Sequence, residues 1–204
     1  MLQIPRMRPS TFPPAVRAEM HSACEAEPAL LNSERIQQQF GSCSIEVLPG
    51  ETGLRRSSVY SRHGRETVCR TYAVVRFAES AEERYREEHA KILAGNSIGA
   101  IFRSHGWDVH KQTLFIGRLQ LPNERTAIAS LMRLDDQYEL ALHVYQLLLA
   151  RDNQVFEYAT IIESHHPAYL SENDLRELYE YDKANALSAE SVSGLTRLVL
   201  ETHE

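Results

Sequence analysis

The sequence predicts an α+β domain: a six-stranded, mostly antiparallel sheet with helices packed on it, followed by a C-terminal helical extension. Three observations carry that expectation. Segments of alternating polarity fall into two sets of three, and turn residues join neighbours within a set. Helical spacing lies before, between and after the two sets, not after every strand, which favours an antiparallel sheet over a βαβ repeat. From Ser171 onward the tail carries two amphipathic patterns.

Residues 1–14 hold Pro5, Pro9, Pro13 and Pro14, which prevent a continuous helix and suggest an arm. From Ala15 to about Phe40, the spacing of Val16, Met20, Cys24, Leu30, Leu31 and Ile36 is helical, with a break near Pro28. Asn32 or Ser33 can cap the second piece. Cys43 to Leu48 alternates, with Cys43, Ile45 and Val47 opposite Glu46, and Pro49 to Gly53 is a turn. Ser57–Ser61 and Thr67–Phe77 form a hairpin around Arg62-His63-Gly64-Arg65. On its second strand, alternation puts Cys69, Thr71, Ala73, Val75 and Phe77 on one face. Val68, Arg70, Tyr72, Val74 and Arg76 take the other.

Ser80 before Ala81-Glu82-Glu83 marks a helix running to Leu93, stopped by Gly95-Asn96. Ile98 to Phe102 is a short helical piece, Lys111 to Leu121 a strand ended by Pro122-Asn123, and Ala127 to Met132 a short helix. Tyr138–Ala150 and Val155–Ser164 form the last hairpin, turning at Arg151-Asp152-Asn153. In the tail, Ser171 caps a helix to Ala186 with Leu175, Leu178 and Tyr179 on one face. A second helix, Ser188 to Thr202, presents Val192, Leu195, Leu198 and Val199. The expected division is an arm at 1–14, a domain at 15–170, and an extension at 171–204 packed on that domain.

With 204 residues the chain suits one domain with a full core. A net charge of -6 argues against non-specific nucleic-acid binding, which needs clustered Lys and Arg. Cys24, Cys43 and Cys69 show neither CxxC spacing nor an even count, so a reduced, cytoplasmic protein is expected. The N-terminus lacks the apolar core of a secretory signal, and no apolar run approaches the length of a membrane span.

Phosphate-loop, dinucleotide, nucleophile-elbow and zinc-protease motifs are all missing. Glu163, His165 and His166 could ligate a metal, but adjacent histidines on a strand point to opposite faces, so no metal is expected. None of the cysteines has a base positioned by sequence. What remains are Arg55, Arg56, Arg70, Arg118 and Glu157, all on expected strands. An arginine fork matches two carboxylate oxygens, and inward arginines with an apolar wall would make a pocket for a small acid. Solvated strand charges are the plain alternative.

The arrangement resembles the chorismate lyase family and the related effector (UTRA) domain of GntR-type repressors. Four segments carry the resemblance, in order. Pro28 to Gly41 with Ile45-Glu46-Val47 looks like the family's first helix and strand. Arg55, followed 15 residues later by Arg70-Thr71, matches its Arg-hairpin-Arg-Thr pattern. Asn96 to Phe102 looks like its Thr-Pro-Leu-Gly segment, and Leu114-Phe115-Ile116-Gly117-Arg118 like its Ile-Gly-Arg strand.

The resemblance implies a chorismate lyase-like fold without a DNA-binding domain, and conversion of chorismate to 4-hydroxybenzoate and pyruvate without a cofactor. It puts Arg55 on the ligand carboxylate, with Arg56 in its place if the register slips by one. Arg70 would hold a second carboxylate, with Asn32, Ile98, Gly99 and Arg118 around the ligand. The family's glutamate falls at Ala159 here. Glu157, two residues earlier, keeps the same face by strand periodicity at a displacement of about 7 Å. Two other readings stay open: a non-catalytic binder of an aromatic or sugar acid, and an interaction module whose C-terminal helices, residues 171–202, dock a partner or a second copy.

Overall fold

The computed structural model describes residues 30–49, 53–121, 126–134, 139–181 and 187–200. The expected arm, the helix over 15–29 and residues 182–186 at the end of the first expected tail helix lie outside them.

The architecture is α+β. Strands β1 (Ser44–Leu48), β2 (Leu54–His63) and β3 (Glu66–Phe77) form one meander. Strands β4 (Asp108–Gln120), β5 (Glu139–Arg151) and β6 (Gln154–His165) form another. The two join where β3 pairs with β6, giving a single sheet in the order β1-β2-β3-β6-β5-β4 with every pairing antiparallel. The hairpin turns are as the sequence requires: Gly64 has φ 62°, and Asp152 and Asn153 have φ 50° and 60°.

Helix α1 (Asn32–Phe40) precedes the sheet. Helices α2 (Ala81–Arg84), α3 (Arg86–Leu93) and α4 (Ile98–Ser104) connect the two meanders, and α5 (Ala127–Met132) lies between β4 and β5. Helices α6 (Glu172–Leu178) and α7 (Ala189–Leu200) follow β6. The helix expected from 81 to 93 is broken at Tyr85, whose backbone leaves the helical region. Its ring packs edge-to-face on Phe102, Trp107 and Tyr158. The cap of α1 is Leu31, whose backbone N–H donates to Glu34, instead of Asn32 or Ser33. Ser171 caps α6 as expected, but Leu178 is exposed.

The sheet buries both faces. Tyr72, Val74, Leu142, Val144 and Ile162 point to one, where α5 and α7 cover them through Ile128, Met132, Leu195 and Val199. The apolar stripe of α7 is thus spent on its own sheet. The opposite face carries two clusters. One holds Val75, Leu147, Leu149 and Tyr158 under α2, α3 and α4. The other holds Val59, Ile116 and Ala141 under α1 and residues 169–181.

Three β-bulges decide which side chains reach that second face. The β2–β3 register pairs Val59 with Thr71 and Tyr60 with Cys69, leaving Arg70 as the extra residue. Tyr158 is extra where Leu147 faces Ala159 and Leu148 faces Glu157. Leu114 is extra where Thr113 faces Tyr145 and Phe115 faces Val144. A bulge restarts the alternation, so residues before it swap faces relative to a straight strand.

Candidate functional site

Between the two clusters of the second face lies a cavity with about 580 Å³ of empty space, counted out to its open mouth. Its floor is the sheet and its rim is made by the starts of two helices, Leu31-Asn32-Ser33 of α1 and Ser97-Ile98-Gly99 of α4. Gly99 leaves room for the Leu31 side chain at that rim: a Cβ there would run into Leu31 Cδ2 and the leucine would have to move. Ser33 and Ser97 hydroxyls meet at 3.2 Å, and Arg103 of α4 pairs with Glu34 of α1 at 3.2 Å.

Register lays out the floor in rows. Arg55, Val75, Ile161 and Tyr145 are successive partners across β2, β3, β6 and β5. The next row is Ser57, Ala73, Glu163 and His143, and the third is Val59, Thr71, His165 and Ala141. Strands spaced about 4.8 Å apart put the Arg55 and Tyr145 backbones about 14 Å from each other. That distance suits a single-ring acid met by a side chain from each end.

At one end stands Arg55, only 3% exposed. Its Nη2 donates to the Asn96 carbonyl at 3.3 Å, its buried Nε has no hydrogen-bond partner, and no described carboxylate is within ion-pair distance. Burial pulls its pKa below the usual arginine value, with Tyr158 acting weakly the other way. A desolvated guanidinium without an anion is costly unless a ligand supplies one.

At the other end Lys111 and Glu163 form a buried pair, Nζ to Oε2 3.6 Å. The ammonium lies 4.3 Å from the Tyr145 ring centroid and 5.5 Å from that of Tyr179, whose hydroxyl accepts from it at 3.3 Å. Burial alone would lower the Lys111 pKa, but Glu163 and the two tyrosines hold it well above the usual value. Burial would raise Glu163, and Lys111 with His165 outweighs it, so the carboxyl is depressed and ionised. His165, beside Glu163, is pushed down to about 4 by burial. His143 is lowered for the same reason and by Lys111, and its Nε2 meets Thr113 Oγ1 at 3.0 Å.

Of the residues singled out in the sequence, Arg55, Asn32, Ile98 and Gly99 line the cavity together. Arg56 points to the other face, where its Nη1 donates to the Tyr72 hydroxyl and to the Leu198 carbonyl in the last turn of α7. The bulge brings Arg70 round to the cavity face, against the alternation read along β3, but Arg70 does not line the cavity as the resemblance implies: Ser61 and the Phe40 ring, 3.9 Å away, hold it aside. Arg118 is largely exposed and pairs with Glu172 and Glu139.

Glu157 was expected to share a face with Ala159. The bulge at Tyr158 breaks that periodicity, and Glu157 lies opposite Leu148 on the other face, hydrogen-bonded by Thr160. The acid on the cavity floor is Glu163, which the sequence flagged only as a metal candidate. Among the described residues no group of three His, Cys, Asp or Glu is placed to hold a metal. Nothing local marks Lys111 or Tyr145, because each needs the β4–β5–β6 register to meet Glu163.

No protein-family model and no curated protein matches this chain. Among solved structures it is similar to a GntR-family transcriptional regulator from Enterococcus faecalis V583, at 10% identity and a TM-score of 0.37, over 64% of this chain and 93% of that one. It is also similar to the C-terminal domain of Yurk from Bacillus subtilis, at 10% identity and a TM-score of 0.37, over 63% of this chain and 89% of that one. No helix among the described residues is long and apolar enough to cross a membrane.

Proposed function

We propose that the chain binds a small carboxylic acid, in the first place an aromatic one, in the cavity between the sheet and the rim of α1 and α4. The observation that carries this reading is Arg55: buried, lining the cavity, and without a carboxylate partner among the described residues. The ligand carboxylate completes the guanidinium fork, and Val75, Ile161 and Leu147 offer apolar contact to a ring. The far end of the ring reaches Tyr145, Lys111 and Glu163. Thermal unfolding with and without 4-hydroxybenzoate tests this. A rise in midpoint that Arg55→Ala abolishes supports the reading, and an undiminished rise in that variant refutes the site.

The second reading is lyase activity on chorismate, which the resemblance in the four segments motivates. Glu163 favours it: an ionised, buried carboxylate on the cavity floor, held beside a lysine. In that reaction the ring carbon bearing the hydroxyl loses its proton, and the neighbouring enolpyruvyl C–O bond breaks. The ring becomes 4-hydroxybenzoate and enolpyruvate takes up a proton to give pyruvate. Glu163 is the base within reach of the hydroxyl-bearing end, and Arg55 anchors the ring carboxylate. Enclosure by the rim excludes water and fixes the ring. Incubation with chorismate, following pyruvate and 4-hydroxybenzoate, decides it. No product above the uncatalysed background at high protein concentration leaves the binding reading alone.

A further inference from the structure

The charges that line the cavity do not balance. Among the described residues the ionisable side chains of the lining are Arg55, Lys111, Tyr145 and Glu163. Lys111 and Glu163 neutralise each other at 3.6 Å, and the ammonium is further enclosed by the Tyr145 and Tyr179 rings and the Tyr179 hydroxyl. Burial and the neighbouring Glu163 hold the Tyr145 phenol well above its usual pKa, so it stays protonated. Arg55, buried at the opposite end, meets only the Asn96 carbonyl. The lining therefore carries one surplus positive charge, and it sits at the Arg55 end.

Neighbouring groups leave that count unchanged. His143 and His165, beside the pair, are kept neutral by burial. Glu34 and Arg103 at the rim pair with each other. Arg35 acts on Glu163 from outside the lining, as the weakest of the influences that hold its carboxyl down. A buried charge is tolerated where an opposite charge meets it and is costly where none does. One ligand carboxylate is matched by Arg55. A second, across the ring, would shed its water beside an ionised carboxylate and a cation already committed to that carboxylate.

We propose that the cavity selects a monoanion: Arg55 takes the single carboxylate, and Glu163, by holding Lys111, is the specificity-determining residue that rejects a second anionic group at the opposite end. This selection rests on the carboxylate-binding reading and narrows its ligand class to aromatic monoacids with a neutral group across the ring. Chorismate carries a second carboxylate on its enolpyruvyl group, so the charge count favours the binding reading over the lyase reading.

Calorimetric titration near neutral pH with terephthalate and 4-carbamoylbenzoate tests it, because the two acids share a shape and differ by one charge. The wild-type protein should bind 4-carbamoylbenzoate at least about tenfold more tightly, the least that an unmatched buried charge costs. Glu163→Gln keeps the size of the side chain and frees Lys111 to meet an anion, so it should reverse the order. Lys111→Met/Glu163→Gln, with no charge left at that end, should favour 4-carbamoylbenzoate again. Equal affinities in the wild type, or tighter binding of terephthalate, overturn the proposal, as does an unchanged preference in a Glu163→Gln protein whose circular dichroism is native. If that variant does not fold, the wild-type comparison decides alone. Binding of 4-hydroxybenzoate without discrimination between the paired acids sinks the selection only. Binding of none of the three sinks the Arg55 reading and the selection with it.

Discussion

Replacing Lys111 by Met tests the far end of the cavity through stability, independently of any ligand. Methionine keeps the length and apolar stem of the side chain, so the Tyr145 and Tyr179 rings retain a neighbour. What disappears is the cation 3.6 Å from a carboxylate that is only 8% exposed. Removing one partner of such a pair leaves an uncompensated buried charge, at a cost of about 3–5 kcal/mol. For a chain of this size that lowers the midpoint of thermal unfolding by roughly 6–20 °C.

Glu163→Gln in the same chain removes the stranded charge, so Lys111→Met/Glu163→Gln should recover much of the loss. Urea denaturation of the four proteins in a double-mutant cycle gives the coupling, expected at about 2–3 kcal/mol. The single Lys111→Met variant also changes the sign of a pH effect. Without its cation, Glu163 is pushed up by burial, so the variant regains stability relative to wild type as pH falls through the raised value. A Lys111→Met protein within about 1 kcal/mol of wild type, with coupling near zero, would refute the buried pair.

Other consequences follow from the same geometry. His165 titrates near 4 when folded and near 6.5 when unfolded, so the unfolded chain binds more protons between those values. Stability should therefore fall by roughly 3 kcal/mol as pH drops from 6.5 to 4, and His165→Gln should flatten that slope in denaturation curves. Gly99→Ala forces Leu31 out of its position on the cavity rim, so it should weaken 4-hydroxybenzoate binding about tenfold while costing less than about 2 kcal/mol of stability. Arg56→Met removes the donor to Leu198 in α7 and should cost about 1–3 kcal/mol with no change in ligand affinity. Glu157→Gln, on that same outer face, should likewise leave affinity unchanged in a calorimetric titration.

Much of the fold was legible because its signals are local. Turn residues with positive φ, such as Gly64, Asp152 and Asn153, mark hairpins whatever the rest of the chain does. Helical spacing placed α5 at Ala127–Met132 and found the buried stripe of α7. Arg55, Asn32, Ile98 and Gly99 line one cavity, since β2 is regular up to Val59 and the helix starts carry their own stop and start signals.

The rest of the site depended on registers between strands far apart in sequence. A bulge follows from how two strands fit, not from the residues of one strand, and each bulge resets the alternation on which face assignment rests. One extra residue at Tyr158 moved Glu157 off the cavity, and one at Arg70 brought that arginine onto the cavity side without joining it to the cavity. An antiparallel α+β scaffold is written in the sequence, because period, turn chemistry and capping act over a few residues. That Glu163 is the acid facing the cavity, with Lys111, Tyr145 and His165 around it, follows from strand pairing across the sheet. Their charges and protons are set by burial and by one another, and both exist only once the six strands are side by side.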